Sequence, residues 1–164
     1  MQIITDLSNL QLSRPTALTI GNFDGIHRGH QTLLRELQQI AAQGGMASAI
    51  LTFDPHPLAV LRPDQPLHLL TTPLERLHLA ARWGIDLGIL HPFTRAVAAQ
   101  EPAEFIGHLM QVLKMRALVV GPDFALGRNR SGNLDVLTEL GKQLGYTIHV
   151  IEPVAWEDQP VRRS

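Results

Sequence analysis

The chain has 164 residues, no cysteine, and 14 lysines and arginines against 15 aspartates and glutamates, for a net charge of −1. The missing thiol excludes disulfides, thiolate zinc sites and cysteine nucleophiles, and the near-neutral charge gives no bulk attraction to nucleic acid. Residues 1–6 lack the basic start and apolar core of a signal peptide, and no apolar run approaches the ~20 residues that span a bilayer, so a cytoplasmic protein with no membrane or nucleic-acid partner is expected. Only Lys114 and Lys142 are lysines; the other basic residues are arginines, whose planar fork suits phosphate recognition.

The length fits one domain, 1–164. Residues 1–15 have weak periodicity and read as an irregular lead-in, with at most a short strand at 2–5. An apolar strand over 16–20 enters a polar turn. A helix follows at once, with Leu33, Leu34, Leu37, Ile40 and Ala41 on one face, and stops at Gly44-Gly45. A second apolar strand, 47–53, ends at Asp54-Pro55-His56-Pro57, where two prolines force the chain out of the sheet. Residues 58–70 form a long, proline-punctuated connection of the kind that serves as a lid or binding loop. Thr72-Pro73-Leu74-Glu75 is a capping box opening a helix whose buried stripe is expected at Leu74, Leu77, His78 and Ala81.

A third strand is expected over 85–90, then a helix opened by Pro102 with Phe105, Ile106, Leu109, Val112 and Leu113 on one face. The fourth strand covers 116–121 and leads into a glycine- and arginine-rich loop, 127–132. A helix bearing Leu134, Leu137, Leu140 and Leu144 follows, then a fifth strand over 146–151 and a polar tail without a clear element. Alternating strands and helices with near-continuous apolar strands predict an α/β, Rossmann-like, doubly wound fold: a mainly parallel five-stranded sheet with helices on both faces. Ligands then collect beyond the carboxyl ends of the strands.

The densest chemistry lies at one such end. Gly21, Asn22, Phe23, Asp24, Gly25, His27, Gly29 and His30 fall within ten residues, between a strand and a helix. Free amides and the positive end of the helix dipole make this an anion site, and His27 and His30, three apart, project from one side. Capping alone would explain Asn22 or Asp24, but it does not explain the whole set. The spacing fits neither a dinucleotide-binding fingerprint nor a P-loop, and two histidines three apart are a poor zinc site.

Gly-x-Phe-Asp-x-x-His-x-Gly-His resembles the signature of the nucleotidylyltransferase superfamily. Thr52-Phe53-Asp54-Pro55-His56-Pro57, Leu70-Thr71-Thr72 with Glu75-Arg76, Pro92-Phe93-Thr94, and Val120-Gly121-Pro122-Asp123-Phe124 with Gly127-Arg128 fall in the order and spacing of prokaryotic FAD synthetase. The N-terminal module of that bifunctional enzyme is an FMN adenylyltransferase. The resemblance implies an enzyme that transfers an adenylyl group from ATP to FMN with Mg²⁺. It places Gly21, Asn22, Phe23, Asp24, His27, Gly29 and His30 on the ATP phosphates, with Asn22, His27 and His30 catalytic. It places Gly121, Asp123 and Arg128 on the nucleotide, and Phe53, Asp54, Pro55, His56, Pro57 and Phe93 at the flavin. Asp24 and Asp123 are the candidate carboxylates for magnesium, directly or through water.

Leu126 stands where this family commonly has phenylalanine. The family also follows its fifth strand with a Ser-Ser-Thr-x-x-Arg motif, of which Val161-Arg162-Arg163-Ser164 reaches only the beginning. A shortened form of the bifunctional enzyme or an isolated module is therefore expected, without the riboflavin kinase module to which it is normally fused. Two other readings stay open: the same chemistry on another phosphate acceptor (nicotinamide mononucleotide, phosphopantetheine or an alcohol phosphate), and a non-catalytic nucleotide- or flavin-binding module.

Overall fold

The computed structural model of the chain describes residues 1–26, 28–152, 155–156 and 159–160, with the backbone alone for Arg28 and for the residues after 152. His27 and the segment 161–164 lie outside the described residues. The elements run β1 (Gln2–Ile4), β2 (Thr16–Ile20), α1 (Arg28–Gln43), β3 (Ala47–Asp54), α2 (Pro57–Leu61), α3 (Pro73–Ala81), β4 (Leu87–Pro92), α4 (Arg95–Ala98), α5 (Pro102–Leu113), β5 (Met115–Val120), α6 (Leu134–Leu144) and β6 (Thr147–Val150). Two residue pairs of the tail, Ala155–Trp156 (β7) and Gln159–Pro160 (β8), form an antiparallel ribbon where no element was expected.

Among the described residues the main sheet has six strands in the order β1-β4-β3-β2-β5-β6, one more than the sequence predicts, and every neighbouring pair is parallel. The extra strand is β1, set against β4 with Ile3 opposite Gly88. Three residues, of which only Ile4 is buried, are too short for an alternating pattern to declare itself. The third predicted strand, 85–90, is displaced to 87–92.

Both faces of the sheet are covered because side chains on a strand alternate between faces. Ala17, Ile50, Ala117 and Val119 meet Leu33, Leu34 and Leu37 of α1 and Leu77 and Ala80 of α3. Leu18, Ala49, Leu51, Leu118 and Val120 meet Phe105, Ile106, Leu109 and Leu113 of α5 and Leu137 of α6. Burying a large aliphatic side chain here contributes about 1.5–3 kcal/mol. The edge strand β6 has no fully buried residue, so α6 packs less deeply than predicted, and Leu144 is exposed.

Helix α3 also departs from its predicted stripe. Its capping box is present, with Glu75 N–H donating to Thr72 Oγ1 and Thr72 N–H to Glu75 Oε1, each at 3.1 Å. Its buried residues, however, are Arg76, Leu77 and Ala80, while Leu74 and His78 are exposed. An arginine facing the core has turned the helix away from the stripe that apolar periodicity suggests.

From β2 the chain moves outward through β3 to β4, then returns by α5 to β5 on the other side of β2. The loops leaving β2 and β5 therefore diverge, and a crevice opens between them at the carboxyl ends. Among the described residues no helix is long and apolar enough to cross a membrane.

Candidate active site

Beyond β2 the chain makes one more sheet-like hydrogen bond, Gly21 N–H to Leu51 O at 3.1 Å, and then turns. The Phe23 ring folds back over Gly21 so closely that a β-carbon there would lie 2.9 Å from it. To do this Phe23 takes φ 50°, a conformation that is rare for a bulky residue and characteristic of functional turns. The buried Phe23 ring then lies 4.9 Å, centre to centre, from the ring of His30. His30 is only 7% exposed and sits in the first turn of α1, which contains no acidic residue in that turn. Backbone amides, helix dipole and imidazole thus converge where an anion gains most.

Two groups behind the loop hold it. Asn22 O accepts hydrogen bonds from Thr52 Oγ1 and Arg76 Nη1, both at 3.2 Å. The Asp24 carboxylate accepts from Leu70 N–H (2.8 Å), Thr71 N–H (2.8 Å) and Thr71 Oγ1 (2.6 Å). Partial burial pushes the Asp24 carboxyl up, but the Thr71 hydroxyl, the two amides and the nearby Arg76 charge outweigh it and hold the group below the ordinary carboxylate value.

On the β3 and β4 side the wall is aromatic. Phe53 meets Phe93 and His91 edge-on, at 5.2 and 5.9 Å, and lies tilted to Phe105 at 6.4 Å. His56 Nδ1 accepts from Leu58 N–H at 3.1 Å and caps α2. Burial first, then the positive charge of Arg76, lower its pKa, with Asp24 opposing, so His56 stays neutral at physiological pH.

On the β5 side the loop is pinned through its backbone, by Leu126 and Gly132 exchanging N–H···O bonds of 3.0 and 2.8 Å and by Arg128 N–H donating to Gln100 O at 2.9 Å. Asn129 (φ 54°) and Arg130 (φ 56°) are left-handed, and Arg130 Nη2 donates to Asp123 O at 3.2 Å.

These walls enclose a cavity of about 950 Å³. Across the strand order its lining changes from Phe53, Phe93, Leu58 and Leu61 to Asn22, Gly29 and His30, and then to Gly121, Arg128 and Arg130. Among the described residues four arginines, Arg62, Arg95, Arg128 and Arg130, line it against a single carboxylate, Asp123. A chain with net charge −1 has therefore built a cationic pocket with an aromatic end, which suits a ligand carrying both phosphates and a flat ring.

Of the residues singled out by sequence, Gly21, Asn22, Phe23, Gly29, His30, Phe53, His56, Pro57, Phe93, Gly121, Asp123 and Arg128 reach the wall. Asp24, Asp54 and Pro55 are not part of it. Where the sequence assigns Asp24 to phosphates and magnesium, the structure gives its carboxylate to residues 70 and 71. Phe23 is as much core as lining, since it packs with Leu33 and Leu34. Arg130, part of the glycine- and arginine-rich loop read from sequence, also lines the cavity, as do Arg62 and Arg95, which the sequence reading does not name. Arg62 precedes Pro63 in the long connection and Arg95 opens α4 just beyond the end of β4, and their place near the carboxyl edge is the signal that could have found them. Outside this wall His68, His78 and His108 are exposed and His149 is half-buried.

The family model for FAD synthetase matches residues 10–164. The chain belongs to the FAD synthetase family. Bifunctional riboflavin kinase/FMN adenylyltransferase of Escherichia coli is 34% identical over 151 residues, covering 90% of this chain and 48% of its own. The protein of the same name from Buchnera aphidicola subsp. Schizaphis graminum is 29% identical over 161 residues, covering 97% and 52%. The chain thus spans about half the length of the curated relatives it matches. A crystal structure described as a macrolide-efflux protein from Streptococcus pneumoniae superposes with a TM-score of 0.82 at 22% identity, covering 98% of this chain and 52% of that one, a likeness of fold alone.

Proposed function

We propose that the chain catalyses adenylyl transfer from MgATP to FMN. A terminal phosphate oxygen of FMN attacks the α-phosphorus of ATP, the bond from that phosphorus to the α–β bridging oxygen breaks, and FAD and pyrophosphate leave. The carrying observation is the single cavity that joins an aromatic wall, Phe53 and Phe93, to a cationic helix-start site at His30. Family membership supports the same reading.

The acceptor is already a nucleophile, so the protein's work is positioning and stabilising charge as it moves onto the leaving pyrophosphate. The triphosphate lies across the start of α1, where His30 and the loop amides donate to it and Asn22 orients it. His27 is assigned the same task from sequence alone. Arg128 and Arg130 hold the nucleotide's charge from the β5 side. The isoalloxazine rests against Phe53 and Phe93, above the turn at His56 and Pro57, and Arg62 and Arg95 face the acceptor phosphate.

Among the described residues no cluster of three or more His, Asp or Glu could hold a metal, and Asp24 is engaged elsewhere. The donor set therefore fits magnesium that keeps its waters and arrives on the triphosphate, with Asp123 as the carboxylate available to it. When bound, magnesium neutralises phosphate charge. A cytoplasmic reaction belongs to the same proposal.

Incubation with FMN, MgATP and the chain, followed by chromatography, should yield FAD and pyrophosphate in equal amounts. Pyrophosphate released with nicotinamide mononucleotide, phosphopantetheine or an alcohol phosphate, but not with FMN, would reassign the acceptor. Calorimetric binding of ATP and FMN without FAD would make the chain a binding module.

A further inference from the structure

Arg76 is the only lysine, arginine, aspartate or glutamate among the described residues that is buried, at 0% exposure. Nothing neutralises it directly, since no carboxylate among the described residues comes within ion-pair distance. Its Nη1 donates to Asn22 O (3.2 Å) and Thr52 Oγ1 (3.1 Å), while Nε and Nη2 are buried without a hydrogen-bond partner. A buried guanidinium with two idle nitrogens costs stability, and an apolar side chain of similar length would pack in its place at no such cost.

What Arg76 touches explains why it is there. Asn22 O is the carbonyl at the bend of the loop that leads into α1, and Thr52 lies on β3, next to the aromatic Phe53. One guanidinium therefore ties the loop at the start of α1 to the strand that carries the aromatic wall. The segment just before α3 grips the same loop a second time, through Leu70 and Thr71 on Asp24. Gly25 completes this grip, because at φ 61° it lies under Leu70, whose Cδ1 would be 2.7 Å from any β-carbon. The Arg76 charge reaches both halves, acting on Asp24 in the loop and on His56 in the turn after β3.

We infer that Arg76 is a positioning residue: from behind the cavity it fixes the Asn22 bend relative to β3 and supplies a buried positive charge beneath the phosphate loop. The inference rests on the adenylyl-transfer reading and adds to it a residue that no substrate touches.

The test is steady-state FAD formation by the full chain as wild type, Arg76→Met, Arg76→Lys and Thr52→Val, with melting temperatures measured alongside. A misplacement of about 1 Å in a reacting group costs roughly 10²-fold, so Arg76→Met should lose about that factor in kcat while the KM for FMN moves by no more than about twofold. Its melting temperature should stay level or rise, because an unpaired buried charge has gone. Arg76→Lys, which restores the charge, should recover at least about tenfold of the loss. A merely structural arginine would give the opposite pattern, with a lower melting temperature and turnover per folded molecule unchanged.

Wild-type kcat in Arg76→Met overturns the inference, as does a loss fully explained by unfolding. If Arg76→Met does not fold, Thr52→Val decides. It removes the hydroxyl shared by Arg76 and Asn22 and should lower kcat at constant KM for FMN; unchanged kcat overturns the proposal. A wild-type chain that makes no FAD overturns adenylyl transfer itself, which is a different result from a wild type and an Arg76→Met that make it equally well.

Discussion

The loops leaving β2 and β5 face each other across the cavity and are built on opposite plans. Both hold non-glycine residues in left-handed backbone, Phe23 in one and Asn129 and Arg130 in the other. The first is braced by side chains from elsewhere, Arg76 and Thr52 on Asn22 O and Thr71 on Asp24, and its Phe23 and His30 are buried. The second is braced chiefly through backbone, by the Leu126–Gly132 pair and by Arg128 N–H on Gln100 O, with one side-chain bond from Arg130 to Asp123 O, and its arginines are exposed. A loop fixed by distant side chains can hold a reacting group to a fraction of an ångström. A loop fixed chiefly by its backbone leaves exposed side chains such as Arg128 free to follow a ligand. On the proposed reaction the first governs turnover and the second governs nucleotide affinity.

The largest test of that division is His30→Ala. Loss of one preorganised donor to developing charge lowers rates by about 10²–10³, and the loss should fall on kcat with the KM for MgATP nearly unchanged. Rapid-quench or steady-state FAD formation reads this directly. A pure KM effect would put the first loop on the same footing as the second.

The next effect is on stability. Asp24→Asn keeps the side chain's size but removes the charge from three hydrogen bonds, and a partly exposed clamp of this kind contributes about 1–2 kcal/mol. The Asp24 pKa is lowered in the folded state, so its contribution is fully present above the ordinary value of 3.8 and is lost as pH falls through the folded value below that. Urea unfolding should therefore give a constant gap between wild type and Asp24→Asn from pH 7 down to about 4, closing in stronger acid. A gap that closes near neutral pH would assign it to another group.

How much of this was visible in the residues alone divides along the same line. Apolar runs in the strands mark the parallel sheet, because burial on both faces demands apolar residues there, and Gly-Asn-Phe-Asp marks the turn that leaves β2. The aromatic wall was half visible: Phe53 and Phe93 stand at strand ends, but nothing local brings Phe105 of α5 to within 6.4 Å of Phe53. Arg76 was legible as a motif and illegible as a core residue. Periodicity counts apolar positions, and a buried charge breaks the count, so the expected stripe of Leu74, Leu77, His78 and Ala81 meets the core only at Leu77 among its fully buried residues. Asp24 was legible as a carboxylate beside histidines, but nothing local shows that residues 70 and 71 come to donate to it.

The smallest effect belongs to the second loop. Arg128→Ala and Arg130→Ala each remove one exposed guanidinium from the cavity rim, and neither takes part in an ion pair that holds the fold among the described residues. Solvent screens such charges, so each should raise the KM for MgATP by about three- to tenfold, which corresponds to roughly 0.7–1.4 kcal/mol of uniform binding, and leave kcat alone. The effect should shrink as salt rises, because the Debye length falls from about 10 Å at 0.1 M to about 3 Å at 1 M. Arg130→Ala also removes the donor to Asp123 O, so it should exceed Arg128→Ala by the cost of loosening its own loop. If either variant lowered kcat a hundredfold at constant KM, the second loop would share the first loop's role, and the two could no longer be assigned separately to affinity and turnover.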